Sequence, residues 1–87
     1  MSEVQRTVRI VNRRGLHARA SAKFVTLASA QPVEVRVDKD GSEVTGTSIM
    51  GLMMLGAAKG DSITISGESE DAVGRLAALV EDGFGED

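Results

Sequence analysis

The residue with the most chemistry open to it in this 87-residue chain is its one histidine, His17, set between Gly15-Leu16 and Ala18-Arg19. Apolar spacing at Ala20, Phe24, Leu27 and Ala28 predicts a helix that begins near Ala18. The first-turn N–H groups of such a helix have no partner within it and point toward the His17 side chain. With the positive end of the macrodipole they make an anion site that needs no metal. Ala18 would bind phosphate through its backbone N–H, and Arg14 and Arg19 would add charge-assisted hydrogen bonds. These positive surroundings favour a neutral imidazole, whose free ring nitrogen is a nucleophile without a separate base. A set of this kind could accept a phosphoryl group. The simpler alternative is a histidine that merely starts a helix, and spacing alone does not choose between them.

A second candidate is Ser48, which precedes Ile49-Met50-Gly51-Leu52-Met53-Met54-Leu55. As an N-cap it would accept a hydrogen bond from a first-turn amide, worth ~1 kcal/mol. As a kinase acceptor it would carry a phosphate that the helix start tolerates, beside an apolar patch of Ile49, Met50, Leu52, Met53 and Met54. Methionine adapts to several partner shapes, so the cluster fits either core filling or partner docking.

Composition removes several classes of function. There is no cysteine, which excludes thiolate metal sites, iron–sulfur clusters and thiol catalysis. One histidine is too few for a histidine-based metal site, and a core this small cannot enclose a large cofactor. Neither a metal nor a cofactor is expected. No apolar run approaches the roughly 20 residues that cross a bilayer, and no signal-peptide pattern opens the chain, so a cytoplasmic protein without membrane insertion is the expectation. The net charge of -3 hides an asymmetry: residues 1–23 hold Arg6, Arg9, Arg13, Arg14, Arg19 and Lys23 against the single acid Glu3. A basic N-terminal third on an acidic chain suits a small anion or an acidic partner, or is simply a solvated surface.

The elements that must position these groups follow from periodicity. Val4, Val8 and Ile10 share one parity within 3–11, which predicts a half-buried strand. Val33, Val35 and Val37 predict a second, Asp40-Gly41 a hairpin turn, and 42–46 the return strand. A short helix is expected over 48–55, ended by Gly56, and a fourth strand around Ile63 and Ile65. Ser69 caps a last helix with Glu70 and Asp71 in its first turn, and Gly83 ends it, leaving 83–87 as a tail free to fray. The order β-α-β-β-α-β-α with one-sided strands implies an α+β fold. It is a single domain over 1–87, an open-faced β-sandwich whose four-stranded antiparallel sheet carries three helices on one face.

Gly15-Leu16-His17-Ala18-Arg19 resembles the active-site motif of the HPr family, the histidine phosphocarriers of the phosphoenolpyruvate-dependent phosphotransferase system. Ser48 to Gly56 resembles that family's regulatory serine and second helix, and Ala58-Lys59-Gly60 continues the match over nearly the whole chain. The resemblance implies that His17 accepts a phosphoryl group on Nδ1 from phosphorylated enzyme I and passes it to a histidine of an enzyme IIA, with Arg19 helping to position it. It further implies a carrier that is not itself a catalyst, and it brings HPr kinase/phosphorylase forward as a partner for Ser48. Where the family continues Arg-Pro-Ala, this chain has Arg19-Ala20-Ser21, a change the helix should survive. Asn12-Arg13-Arg14-Gly15 and Gly83-Phe84-Gly85-Glu86-Asp87 look similar to NPr, the nitrogen-related regulatory branch.

Two rivals stand beside this reading. One is a regulatory module that catalyses nothing and is switched only by Ser48. The other is a nucleic-acid binder using Arg6, Arg9, Arg13 and Arg14, which lacks base-stacking aromatics because Phe24 falls on a helix and Phe84 in the tail. Nucleic acid is not an expected partner, and nothing in the pattern asks for more than a monomer.

Overall fold

Alternation of apolar and polar residues produces four strands, β1 (Val4–Arg9), β2 (Val35–Lys39), β3 (Ser42–Thr45) and β4 (Ser62–Gly67). A computed structural model describes residues 2–86. Between and after the strands lie three helices, α1 (Ala18–Ser29), α2 (Ile49–Met54) and α3 (Glu70–Glu81), and then a 3-10 turn at Gly83–Gly85. The strands form one antiparallel sheet in the order β1-β4-β2-β3.

Register explains which face is buried. Val8 pairs with Ile63, Arg6 with Ile65, and Ile65 in turn with Val37. Val8, Val37, Ile63 and Ile65 thus share the face that packs on Phe24, Leu52, Val73, Leu76 and Val80 from the helices, all buried. The opposite face is polar: Thr7 and Thr64 are paired there, and their hydroxyls are 2.9 Å apart. This is the open-faced sandwich that the patterning predicts. The hairpin between β2 and β3 turns through Asp40 and Gly41, both at positive φ (53° and 88°), as a tight two-residue turn requires.

Element boundaries shift where the chain leaves the ladder. The strand expected over 3–11 stops at Arg9, although Ile10 remains fully buried and exchanges backbone bonds with Gly60 and Asp61. Similarly, β2 starts at Val35, whose pairing with Gly67 is the last with β4, and Val33 lies before it.

The tail expected over 83–87 differs: residues 83–86 are folded onto the domain, and Asp87 lies outside the described residues. Gly83 does not simply end α3; it opens the 3-10 turn, and Phe84 is buried at 1% exposure. Phe84 holds φ 59°, an unfavourable region for a large side chain, and burial of its ring offsets that cost. Lys23 of α1 fastens the turn by donating from Nζ to the Phe84 carbonyl at 2.7 Å.

Candidate functional site

The loop from Asn12 to Leu16 delivers His17 to the start of α1. Gly15 has φ 61°, and a Cβ there would lie 2.3 Å from the Ala57 carbonyl oxygen, so the close approach admits only glycine. Leu16 donates its N–H to that same oxygen at 3.0 Å and sinks its side chain into the core. Both contacts tie the loop to the chain beyond α2. The loop therefore sits on a rigid base.

His17 occupies the N-cap of α1 with extended backbone (φ -73°, ψ 178°), yet its side chain makes no capping hydrogen bond. The first bond into the helix runs from the Ser21 N–H to the His17 carbonyl at 2.8 Å. Consequently the amides of Ala18, Arg19 and Ala20 have no partner within the helix. Ser21 donates from its hydroxyl to the Leu16 carbonyl at 3.1 Å, and Ala20 is fully buried, so the helix runs unbroken through Arg19-Ala20-Ser21.

An open pocket of about 180 Å³ lies over this helix start, lined by Arg13, Arg14, His17, Arg19 and Glu86. That is below the roughly 300 Å³ at which small-molecule sites begin, and it suits a group presented by another molecule. The fold thus brings His17, Arg14 and Arg19 together with the Ala18 amide.

Two residues here carry a role that sequence reasoning missed. Oε2 of Glu86 lies 2.7 Å from Nε2 of His17. The buried side chain of Asn12 donates from Nδ2 to the other Glu86 oxygen at 3.1 Å and to the Gly15 carbonyl at 2.9 Å. Asn12 Oδ1 is buried without a partner, but reversing the amide would set it against two acceptors, so the network fixes this orientation. The Asn12 hydrogen bond, followed by His17 and Lys23, holds the Glu86 carboxyl below the usual carboxylate range, against the opposing effect of desolvation.

An ionised carboxylate can only accept, so Nε2 of a neutral His17 must carry the proton, and the Nδ1 lone pair is left available. One expectation changes. The surroundings of His17 are not purely positive, since the charge touching the ring is negative, and Glu86 leaves the His17 side chain only 16% exposed. A signal was present in the sequence: Phe84 is one of only two aromatic residues, and a large apolar side chain anchors a tail that would otherwise fray.

At α2, Ser48 caps the helix, its Oγ accepting from the Gly51 N–H at 2.9 Å. Met50 and Met54 are 69% and 80% exposed, with Ile49 and Met53 also at the surface. Leu52 does not belong to that patch. It is fully buried in the core, because a helix of under two turns turns one side to the sheet and Leu52 occupies it. Phe24 and Phe84 are both buried, and Arg6 and Arg9 fall on opposite faces of β1, so they do not make one nucleic-acid surface.

Comparisons with known proteins agree with this geometry. Residues 4–82 match the family model described as the PTS HPr component phosphorylation site. The chain is 46% identical over 78 residues to the phosphocarrier protein HPr of Neisseria meningitidis serogroup A, covering 90% of this chain and 88% of that one. It is also 37% identical over 79 residues to the phosphocarrier protein NPr of Shewanella violacea, covering 91% and 87%. Among solved structures, HPr-C-His from Thermoanaerobacter tengcongensis superimposes with a TM-score of 0.88 at 42% identity, covering 100% of this chain and 99% of that one.

Proposed function

The chain belongs to the HPr family of phosphotransferase-system phosphocarriers, and from that premise we propose that His17 is the phosphoryl acceptor, using Nδ1. In the transfer, the Nδ1 lone pair forms a bond to phosphorus while the bond from phosphorus to the donor breaks, its electron pair returning to the donor atom. The His17 ring keeps its Nε2 proton throughout. Phosphorylated enzyme I is the donor and a histidine of an enzyme IIA the next acceptor. Arg19 and Arg14 hold the phosphoryl oxygens with the Ala18 amide, and the carrier supplies an atom rather than catalysing turnover of its own.

One observation carries this reading: a histidine with a free ring nitrogen stands at a helix start whose first amides are unpaired, in a pocket lined by three arginines. Donors aimed at phosphate are stabilising only while the group is held, so a carrier needs them numerous enough to orient and weak enough to release. The test is intact mass after incubation with enzyme I, magnesium and phosphoenolpyruvate. One acid-labile phosphoryl group is expected on wild type and none on His17→Ala. Equal labelling of both would remove His17 from the role.

Ser48 is proposed as a control point for a kinase of the HPr kinase/phosphorylase kind. Its half-buried hydroxyl borders Ile49, Met50, Met53 and Met54, the surface offered to enzyme I, and a phosphate there would place strong negative charge beside apolar contacts. The protein is proposed to act as a single-domain monomer in the cytoplasm, in the nitrogen-related regulatory branch. The Asn12–Gly15 and Gly83–Asp87 segments support that branch by their likeness to NPr, and a preference for a nitrogen-type over a sugar-type enzyme IIA as acceptor tests it.

A further inference from the structure

The residues matched by the family model end at 82, yet the carboxylate that touches the reactive ring belongs to residue 86. We propose that Glu86 is a positioning residue for phosphoryl transfer: it holds the Nε2–H of His17 and thereby keeps the Nδ1 lone pair turned toward the arginine-lined pocket. This rests on His17 being the phosphoryl acceptor.

The tail is built to hold that carboxylate in place. Phe84 is buried, Lys23 clamps the Phe84 carbonyl, and Glu86 is gripped on its second oxygen by Asn12, which is 1% exposed. Asn12 is anchored in turn by the Gly15 carbonyl, in the same loop that delivers His17. An imidazole ring can otherwise rotate about its Cβ–Cγ bond, and a ring tied at Nε2 cannot do so without breaking a 2.7 Å contact. The other charges facing the pocket are Arg13, Arg14 and Arg19, all donors, so Glu86 is the acceptor this ring meets among the pocket's lining residues.

Hydrogen-bond inventory makes the requirement for a carboxylate specific. Asn12 Nδ2 and His17 Nε2–H are both donors, and they converge on the two oxygens of one side chain. A glutamine in that place offers one acceptor oxygen and one NH2 group, so a donor would face a donor at one of the two contacts. Asn12 is buried and already fixed by the Gly15 carbonyl, so it keeps the one oxygen; the NH2 group then faces the ring and moves its proton to Nδ1, which blocks the acceptor atom. An aspartate is shorter but keeps two acceptor oxygens.

The experiment compares wild type, Glu86→Gln and Glu86→Asp as full chains, by ring 15N spectra of His17 and by the kinetics of phosphoryl acceptance from phosphorylated enzyme I. Wild type is expected to show a protonated Nε2 and an unprotonated Nδ1, with Glu86→Asp close to it. Glu86→Gln should lose that signature and fall about tenfold in kcat, with KM for phosphorylated enzyme I nearly unchanged and Glu86→Asp within about threefold of wild type. A role in packing alone reverses the order, because glutamine is isosteric with glutamate. Wild-type rate and ring spectrum in Glu86→Gln would overturn the inference while leaving His17 as acceptor. A slowed Glu86→Gln with an unaltered ring spectrum overturns it as well. Failure of wild type to accept a phosphoryl group, beside a competent control carrier, overturns the functional reading itself and the positioning role with it.

Discussion

Helices α1 and α3 are each twelve residues long, pack on the same face of the sheet, and begin in opposite ways. Ser69 opens α3 with its hydroxyl accepting from the Ala72 N–H at 3.1 Å, and Glu70 and Asp71 set negative charge against the positive end of the dipole. His17 opens α1 without a capping bond, no acid stands in the first turn, and arginines surround the start. One helix satisfies its own terminus, and the other leaves the same donors for something outside the chain. A helix start that forgoes about 1 kcal/mol of capping is stabilised elsewhere, here by Leu16 in the core and by the tail.

The sharpest way to break the contrast is to make α1 begin as α3 does. In His17→Ser the extended backbone at position 17 suits a capping serine. The new cap is worth about 1 kcal/mol and the Glu86 contact is lost, so a smaller net gain in unfolding free energy is expected by urea titration, together with complete loss of acid-labile phosphorylation by intact mass. Stability and function would move in opposite directions at one residue. A smaller effect is expected from Arg19→Ala, which removes charge from the pocket but leaves the acceptor. Charge-assisted hydrogen bonds of about 1.5–3 kcal/mol correspond to a transfer rate slowed roughly 10- to 100-fold, read by quench-flow with phosphorylated enzyme I. An unchanged rate would take Arg19 out of the site.

The two helix starts also differ in how legible they were. Ser69 and Ser48 announce their caps by residue type, and both hydroxyls make the bonds their positions predict. His17 could be placed at a helix start because the apolar period changes after Gly15, and that much is local. What covers it is not local. The Glu86 contact spans 69 residues of sequence and depends on Phe84 entering the core through a left-handed backbone that no periodicity signals. Gly83, Gly85 and Glu86 read as a loose end, whereas one buried aromatic ring sets their structure. Leu52, expected in the exposed patch, is buried for a related reason. Helical spacing groups it with Ile49 and Met53, but only contact with the sheet decides which one of a short helix's residues is buried.

Removing the cap on the other side sharpens the comparison further. Ser69→Ala should cost α3 about 1 kcal/mol, seen as a lower urea midpoint with an unchanged slope. Phosphoryl acceptance should not change, since α3 contributes nothing to the pocket lining. A slowed transfer in this variant would mean that the two starts are coupled through the packing of α1 against α3.

The smallest expected effect is on the pH range over which the tail contact lasts. The Asn12 hydrogen bond, then His17 and Lys23, depress the Glu86 carboxyl below its ordinary value of 4.5. A depressed carboxyl contributes stability that is fully present above the unfolded value and is lost as pH falls through the lower folded one. The Glu86 contact is therefore lost at a lower pH than that of an ordinary glutamate would be. A 13C titration of the Glu86 side chain should show a midpoint below 4.5 in wild type, moving upward in Asn12→Ala as the leading cause of the depression is removed. A wild-type midpoint at or above the ordinary value would mean that the carboxylate is not held by Asn12. α1 would then begin without the second group that distinguishes its start from that of α3.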